Sequence, residues 1–92
     1  MEFDWDATKA ARNKAKHKVS FALAARVFLD LGRIEMYDGR EDYGEDRWAT
    51  IGYADNGLLY VVYTIRDTDT IRLVSARKAN EKERQQYRQA NS

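Results

Sequence analysis

Two β-rich apolar runs dominate the middle of the chain, residues 47–54 (R-W-A-T-I-G-Y-A) and 58–66 (L-L-Y-V-V-Y-T-I-R). They flank Asp55-Asn56-Gly57, and Asn-Gly between apolar runs is a strong hairpin signal because both central turn positions need φ > 0. With Asn56 and Gly57 as the loop, Asp55 faces Leu58, Ile51 faces Val62, Ala49 faces Thr64 and Arg47 faces Arg66. A second polar turn, Asp67-Thr68-Asp69, leads into a third run over 70–78 (T-I-R-L-V-S-A-R-K). A two-residue turn there puts Ser75 and Arg77 on the Arg47/Arg66 face, and a three-residue turn puts Arg72 there instead, since a one-residue slip exchanges faces. The alternating segment 33–37 (R-I-E-M-Y) predicts a further strand ahead of these three. Phe3 and Trp5 alternate with acids, so 2–5 is a short strand or an apolar N-terminal clasp.

Helical periodicity marks both ends. Asp6 is a fair N-cap for a helix over 7–17, with a break at Lys18-Val19. Ser20 caps a second helix over 21–30, in which Phe21, Ala24, Ala25 and Phe28 form an i, i+3, i+4, i+7 stripe ended by Gly32. Asn80 and Glu83 form a capping box for a last helix over 81–90. That helix has almost no apolar stripe, with Tyr87 its one large anchor, so it should dock weakly or be completed by a partner. The order α-α-β-β-β-β-α, with antiparallel connections, predicts an α+β domain. No linker, repeat or low-complexity segment divides 1–92, and the segment 38–46 between the first two strands reads as an acidic flexible loop.

Composition narrows the function classes. The chain has 92 residues and no cysteine, which excludes a disulfide framework and a thiolate metal site or nucleophile and fits a reducing cytosol. The apolar stretch 58–63 is far short of the ~20 residues that span a bilayer. Residues 1–5 show no signal-peptide pattern, so the expectation is a cytoplasmic protein without a membrane partner. Net charge is only +1, yet Lys and Arg outnumber acids six to four over 1–30 and seven to four over 66–88, and the reverse holds, three to seven, over 31–57. One histidine and scattered carboxylates do not make a first-row metal site, and no Gly-rich phosphate loop follows a strand, so no cofactor is expected.

The cations at strand positions are the candidate chemistry. Like charges opposed in a sheet cost roughly 0.2–1 kcal/mol, a cost that a bound phosphate would offset. Arg47, Arg66 and Arg77 present planar forks suited to phosphate, and each well-aimed donor is worth roughly 2.7–4 kcal/mol to a transition state. Pairing of these arginines with Asp67, Asp69 or the acidic loop is the structural alternative. His17, the only histidine, falls at the end of the first helix as a candidate acid or base, or as a helix C-cap. Glu45, beside Arg47, is the alternative base or a surface carboxylate. Lys9, Arg12 and Lys16 line one helical face as a backbone track or as solvated charge. Ser75 reads as a phosphate ligand or a small structural residue, and Tyr87 as a stacking or packing residue.

Fragments along almost the whole length resemble one family. They are Phe3-Asp4-Trp5-Asp6, Asn13, Lys16-His17, Val19-Ser20-Phe21, Asp42-Tyr43-Gly44-Glu45-Asp46-Arg47, Ile51-Gly52, Val61-Val62-Tyr63-Thr64, Ile71-Arg72, Ser75-Ala76-Arg77-Lys78-Ala79 and Tyr87. Together they resemble the BrnT toxins of bacterial BrnT/BrnA toxin–antitoxin modules, grouped with the RelE-like ribonucleases. The chain departs from common members at Ala7, where Pro is usual, at Lys18, where Gly is usual, and at Tyr43-Gly44, where some have His-Ser. The resemblance implies a RelE-like fold: two N-terminal helices, a four-stranded antiparallel sheet and a C-terminal helix. It also implies a metal-independent endoribonuclease that arrests translation through 2′,3′-cyclic phosphate products. A BrnA-type antitoxin would neutralise it, in a heterotetramer that meets operator DNA only through the antitoxin. On this reading His17, Glu45, Arg47, Arg66 and Arg77 are the catalytic set, and Lys16, Arg72, Ser75, Lys78 and Tyr87 contact RNA. A non-catalytic RNA-binding or protein-interaction module using the arginine face is the alternative.

Overall fold

The computed structural model describes residues 1–38, 44–55 and 57–92. Five strands form one sheet in the order β1-β5-β4-β3-β2, namely β1 (Glu2–Asp4), β2 (Ile34–Asp38), β3 (Arg47–Ala54), β4 (Gly57–Arg66) and β5 (Thr70–Lys78). The expected RelE-like plan of four antiparallel strands is thereby corrected: the sheet is five-stranded and mixed, because β1 pairs parallel with the start of β5, Phe3 beside Ile71 and Asp4 beside Arg72. Apolar packing holds this added strand. Phe3 lies 5.3 Å from the Phe28 ring, and Trp5 lies edge-on to Phe21 at 6.0 Å.

Helix α1 (Ala7–His17) begins at Asp6, whose carboxylate accepts from Thr8 and Lys9 N–H, and ends at Lys18 in the left-handed conformation, φ 62°. The N–H groups of Lys9 and Thr8 hold the Asp6 carboxyl below its ordinary value. Ser20 caps helix α2 (Phe21–Ala24) by accepting from Leu23 N–H, and the chain then tightens into a 3-10 turn over Ala25–Leu29. The continuous second helix expected over 21–30 is corrected accordingly. At three residues per turn, Val27 follows Phe21 and Ala24 into the interior, whereas Ala25 is only half-buried. Helix α3 (Glu81–Ala90) starts at the expected capping box: Glu83 N–H donates to Asn80, and Asn80 N–H to the Glu83 carboxylate, both at 2.9 Å.

The main core lies between the N-terminal helices and one sheet face, where Val19, Phe21, Ala24, Val27 and Phe28 meet Leu59, Val61, Tyr63, Ile71, Leu73 and Ala76. Burial, and then the neighbouring Glu35 carboxylate, raise the Tyr63 phenol above its ordinary value. The second face carries a smaller cluster at one end, Ile51, Leu58 and Ala79 with Tyr60 and Tyr87, under α3.

Register departs from the sequence reading in an instructive way. Ala54 pairs with Gly57, Ile51 with Tyr60 and Ala49 with Val62, so the two connecting residues are 55 and 56, and Asp55 takes φ 58°. Asp tolerates the left-handed region, which frees Gly57 to enter the strand; Asn56 lies outside the described residues. Arg47 is therefore not opposite Arg66. Its partner on β2 is Asp38, and one further step along the β3–β4 ladder leads toward Thr64. The shift is by two residues, so Arg47 and Arg66 still share a face.

Candidate nucleic-acid interface

The β4–β5 connection spans 67–69, with Arg66 paired to Thr70 and Thr64 to Arg72. This is the three-residue turn, and it puts Arg72 on the Arg47/Arg66 face. A bulge then skips one residue: Tyr63 pairs with Leu73 but Val62 with Ser75. The extra residue, Val74, reverses the side-chain phase. Ser75, opposite Val62, and Arg77, opposite Tyr60, join the same face. The three-residue alternative is the one realised, Ile71 and Leu73 facing the main core, and the bulge adds what the two-residue turn would have given, so Arg47, Arg66, Arg72, Ser75 and Arg77 all belong to the sheet face away from the main core.

Each of these arginines has a carboxylate neighbour. Glu45, just ahead of β3, sits between two of them, its Oε2 at 3.6 Å from Arg47 Nε and its Oε1 at 3.5 Å from Arg66 Nη2. Glu45 and Arg66 line a cleft with Asp46, Trp48, Thr64 and Asp67, and Arg47 reaches it only through Glu45. Thr64 donates its hydroxyl to Asp46 O at 2.6 Å, tying the pre-strand segment to β4. Arg72 lies 3.4 Å from Asp4 on β1. Arg77 donates through Nη1 and Nη2 to both Glu83 oxygens at 2.8 Å, and its guanidinium lies over the Tyr60 ring at 4.4 Å. Burial pushes the Glu83 carboxyl up, but the Arg77 hydrogen bonds and Asn80 N–H outweigh it and hold Glu83 below its ordinary value. Arg77 thus anchors α3 and stands apart from the Glu45 cleft.

Tyr87 is the other anchor. Its hydroxyl donates to Asp30 Oδ2 at 2.7 Å, and its ring meets Tyr53 edge-on at 5.3 Å. Asp30 also accepts from Gly32 N–H and Tyr53 N–H, both at 2.8 Å. Burial raises the Asp30 carboxyl, and these three donors more than reverse the effect, leaving it below the ordinary value. Burial, with the Asp30 carboxylate as acceptor, pushes the Tyr87 phenol up to about 12. Asp30 carries no motif signal in the sequence; only the fold brings it to Tyr87, 57 positions later.

His17, Lys16 and Ser75 come together elsewhere. They line a groove of about 310 Å³ between α1 and β5, with Lys9, Arg12 and Val74. Its seat is Asn13. Beyond the short reach of β1, the edge of β5 is closed by the Asn13 amide, which accepts from Ala76 N–H at 3.0 Å and donates to Ala76 O at 2.8 Å and to Val19 O at 2.9 Å. Lys78 lines a third groove, near the β3–β4 turn, with Lys18, Arg84 and Asp55 over Leu23 and Leu58. The structure therefore joins Glu45, Arg47 and Arg66, joins His17, Lys16 and Ser75, and keeps the two sets in separate grooves. Among the described residues no three His, Cys, Asp or Glu side chains gather into a set that could hold a metal ion, and no helix is long and apolar enough to cross a membrane.

The fold defines a small one-sheet α+β domain, with a carboxylate between two guanidiniums at one end of the sheet. Comparison with known proteins gives the domain its family. The family model described as ribonuclease toxin, BrnT, of type II toxin–antitoxin system matches residues 5–83, and the chain belongs to that family. The crystal structure of the Brucella abortus ribonuclease toxin, BrnT, shares the fold with a TM-score of 0.68 at 24% identity, over 88% of this chain and 99% of that one. No curated protein matches the chain significantly.

Proposed function

We propose that this chain is a metal-independent endoribonuclease toxin with its reacting centre at Glu45, Arg47 and Arg66. The observation that carries the reading is the Glu45 carboxylate between two guanidiniums. RNA transesterification needs a base for the 2′-OH and positive charge around the phosphorane. Glu45 takes the 2′ proton, the 2′ oxygen bonds to phosphorus, and the P–O5′ bond breaks. The departing 5′ oxygen takes a proton from water, leaving a 2′,3′-cyclic phosphate and a 5′-hydroxyl. Arg47 and Arg66, already neighbours of the base, turn to the equatorial oxygens as negative charge builds there. Cleavage arrests translation, and a BrnA-type antitoxin in a heterotetramer holds the toxin in check in the cytoplasm, meeting operator DNA in the toxin's place. Membership of a type II toxin family supports the antitoxin partner.

The test is cleavage of a mixed-sequence RNA by purified protein in excess EDTA, with end-group analysis. The wild type yields 2′,3′-cyclic phosphate ends. Glu45→Gln loses on the order of 10²–10⁴ in rate, as removal of a general base does, and Arg66→Ala loses on the order of 10²–10³. Undiminished cleavage by both variants would remove this cleft from the reaction.

A further inference from the structure

The arginines of the sheet and the cations of α1 differ in one respect that decides where a nucleic acid backbone can lie. Arg47, Arg66, Arg72 and Arg77 each have a carboxylate within 4 Å. Among the described residues, Lys9, Arg12 and Lys16 have none, and all three are exposed. Helix α1 contains Lys9, Arg12, Lys14, Lys16 and His17 and no acid, in a chain whose net charge is only +1. Cations near a helix N-terminus oppose the macrodipole, so Lys9 in the first turn works against the helix's own stability. Among the described residues the one acid whose charge meets Lys9 is the N-cap Asp6, and its carboxylate is already engaged by the Thr8 and Lys9 N–H groups.

We infer that the groove between α1 and β5 is a binding track for the RNA backbone, with Lys9, Arg12 and Lys16 each taking a phosphate and His17 and Ser75 at its floor. The inference rests on the ribonuclease reading and adds where substrate lies. The helix rises about 1.5 Å per residue, so the three cations span about 10 Å along one face, a length commensurate with three successive phosphates of an extended strand. His17 and Ser75 supply hydrogen-bonding groups suited to phosphate and 2′-hydroxyl oxygens, and no carboxylate lines the groove. The Lys18, Lys78 and Arg84 groove differs on both counts, having an apolar floor and Asp55 in its wall. The track is also rigidly placed. Asn13 locks the middle of α1 to Ala76, and the unpaired Val74 sets Ser75 at the groove. An anion approaching Arg77 must displace a bidentate carboxylate; among the described residues Lys9, Arg12 and Lys16 have no carboxylate within 4 Å to displace.

The probe is a labelled 12-nucleotide RNA with 2′-O-methyl groups throughout, which cannot be cleaved. Its affinity is followed by fluorescence anisotropy across a salt series for wild type, Lys9→Ala/Arg12→Ala/Lys16→Ala, and Lys82→Ala/Arg84→Ala. Single-strand binding loses about 0.7 in log–log salt slope per phosphate contact. The α1 triple variant is therefore expected to lower the slope by about 2, and the Lys82/Arg84 variant, on exposed positions of α3, to leave it unchanged. Alanine is the best helix former, so α1 persists in the triple variant, as circular dichroism will register. An unchanged slope in the triple variant, an equal fall per charge removed in both variants, or a salt-independent wild type would each overturn the track. Because the probe is uncleavable, failure here is distinct from failure of the Glu45 chemistry, which the EDTA assay reads alone.

Discussion

Asn13 shows how much one side chain can settle. Its amide fills the place of a neighbouring strand at Ala76 and also receives the carbonyl of Val19, so three buried backbone groups depend on it. Asn13→Ala leaves them without partners, and at about 1–3 kcal/mol per buried unsatisfied group the domain should lose about 3 kcal/mol or more. Urea unfolding checks this; a loss under about 0.5 kcal/mol, the range of ordinary surface substitutions, would mean that water replaces the amide freely. Asn13→Asp tests the direction of the bonds, because a carboxylate can still accept from Ala76 N–H but faces two carbonyl oxygens with no proton to give. From the sequence Asn13 stood only as one residue of a family resemblance. A polar residue on a polar helix looks like solvent-facing surface, and its strand-like role exists only once β5 ends beside it. Glu45 near Arg47 was legible because only Asp46 separates them in the chain. The approach of Arg66 was legible only as a shared face.

Among the elements, α3 is held by polar contacts more than by burial. Glu83 is fixed by Arg77 and Asn80, and Tyr87 by Asp30. The ordinary carboxyl values are 3.8 for Asp30 and 4.5 for Glu83, and both are lowered in the fold. A lowered folded value stabilises above the unfolded value and loses that contribution as pH falls through the folded one. Amide protection in α3 should accordingly hold from neutral pH down to about 5 and decline below about pH 4, ahead of β4 and β5. Asp30→Asn should lower α3 protection at neutral pH and flatten its acid decline. Hydrogen exchange followed by NMR reads both, and an α3 that loses protection only together with the sheet would contradict the polar-latch picture. Element boundaries set by local chemistry were legible: Asp6, Ser20 and the Asn80/Glu83 box each start a helix where the sequence predicts one. Pairings were less so. A shift of two residues in the β3–β4 register leaves the buried face unchanged, so the apolar pattern could not distinguish Arg66 from Thr64 opposite Arg47. The alternation of Phe3 and Trp5 with acids marks a short strand or a clasp, but the parallel pairing of β1, like the β5 bulge, depends on partners far along the chain and has no local signal.

At the scale of the whole molecule, charge is sorted by whether it is already answered. The second sheet face carries arginines with the protein's own carboxylates within 4 Å, whereas among the described residues Lys9, Arg12 and Lys16 of α1 have none that close. Ser75's partner Val62 and Arg66 are four steps apart along β4, about 13 Å at the strand rise. Ser75 at the α1 groove and Arg66 at the Glu45 cleft thus lie on one sheet face. On this account the two surfaces divide the work, with binding on the helix and bond cleavage at the sheet end. Single-turnover cleavage in EDTA, followed as the protein concentration is raised to saturation, separates them most directly. The account predicts that Glu45→Gln loses the plateau rate and keeps the half-saturating concentration, while Lys9→Ala/Arg12→Ala/Lys16→Ala raises that concentration and keeps the plateau. A Glu45→Gln plateau equal to wild type, or a triple variant whose plateau collapses at unchanged half-saturation, would contradict it.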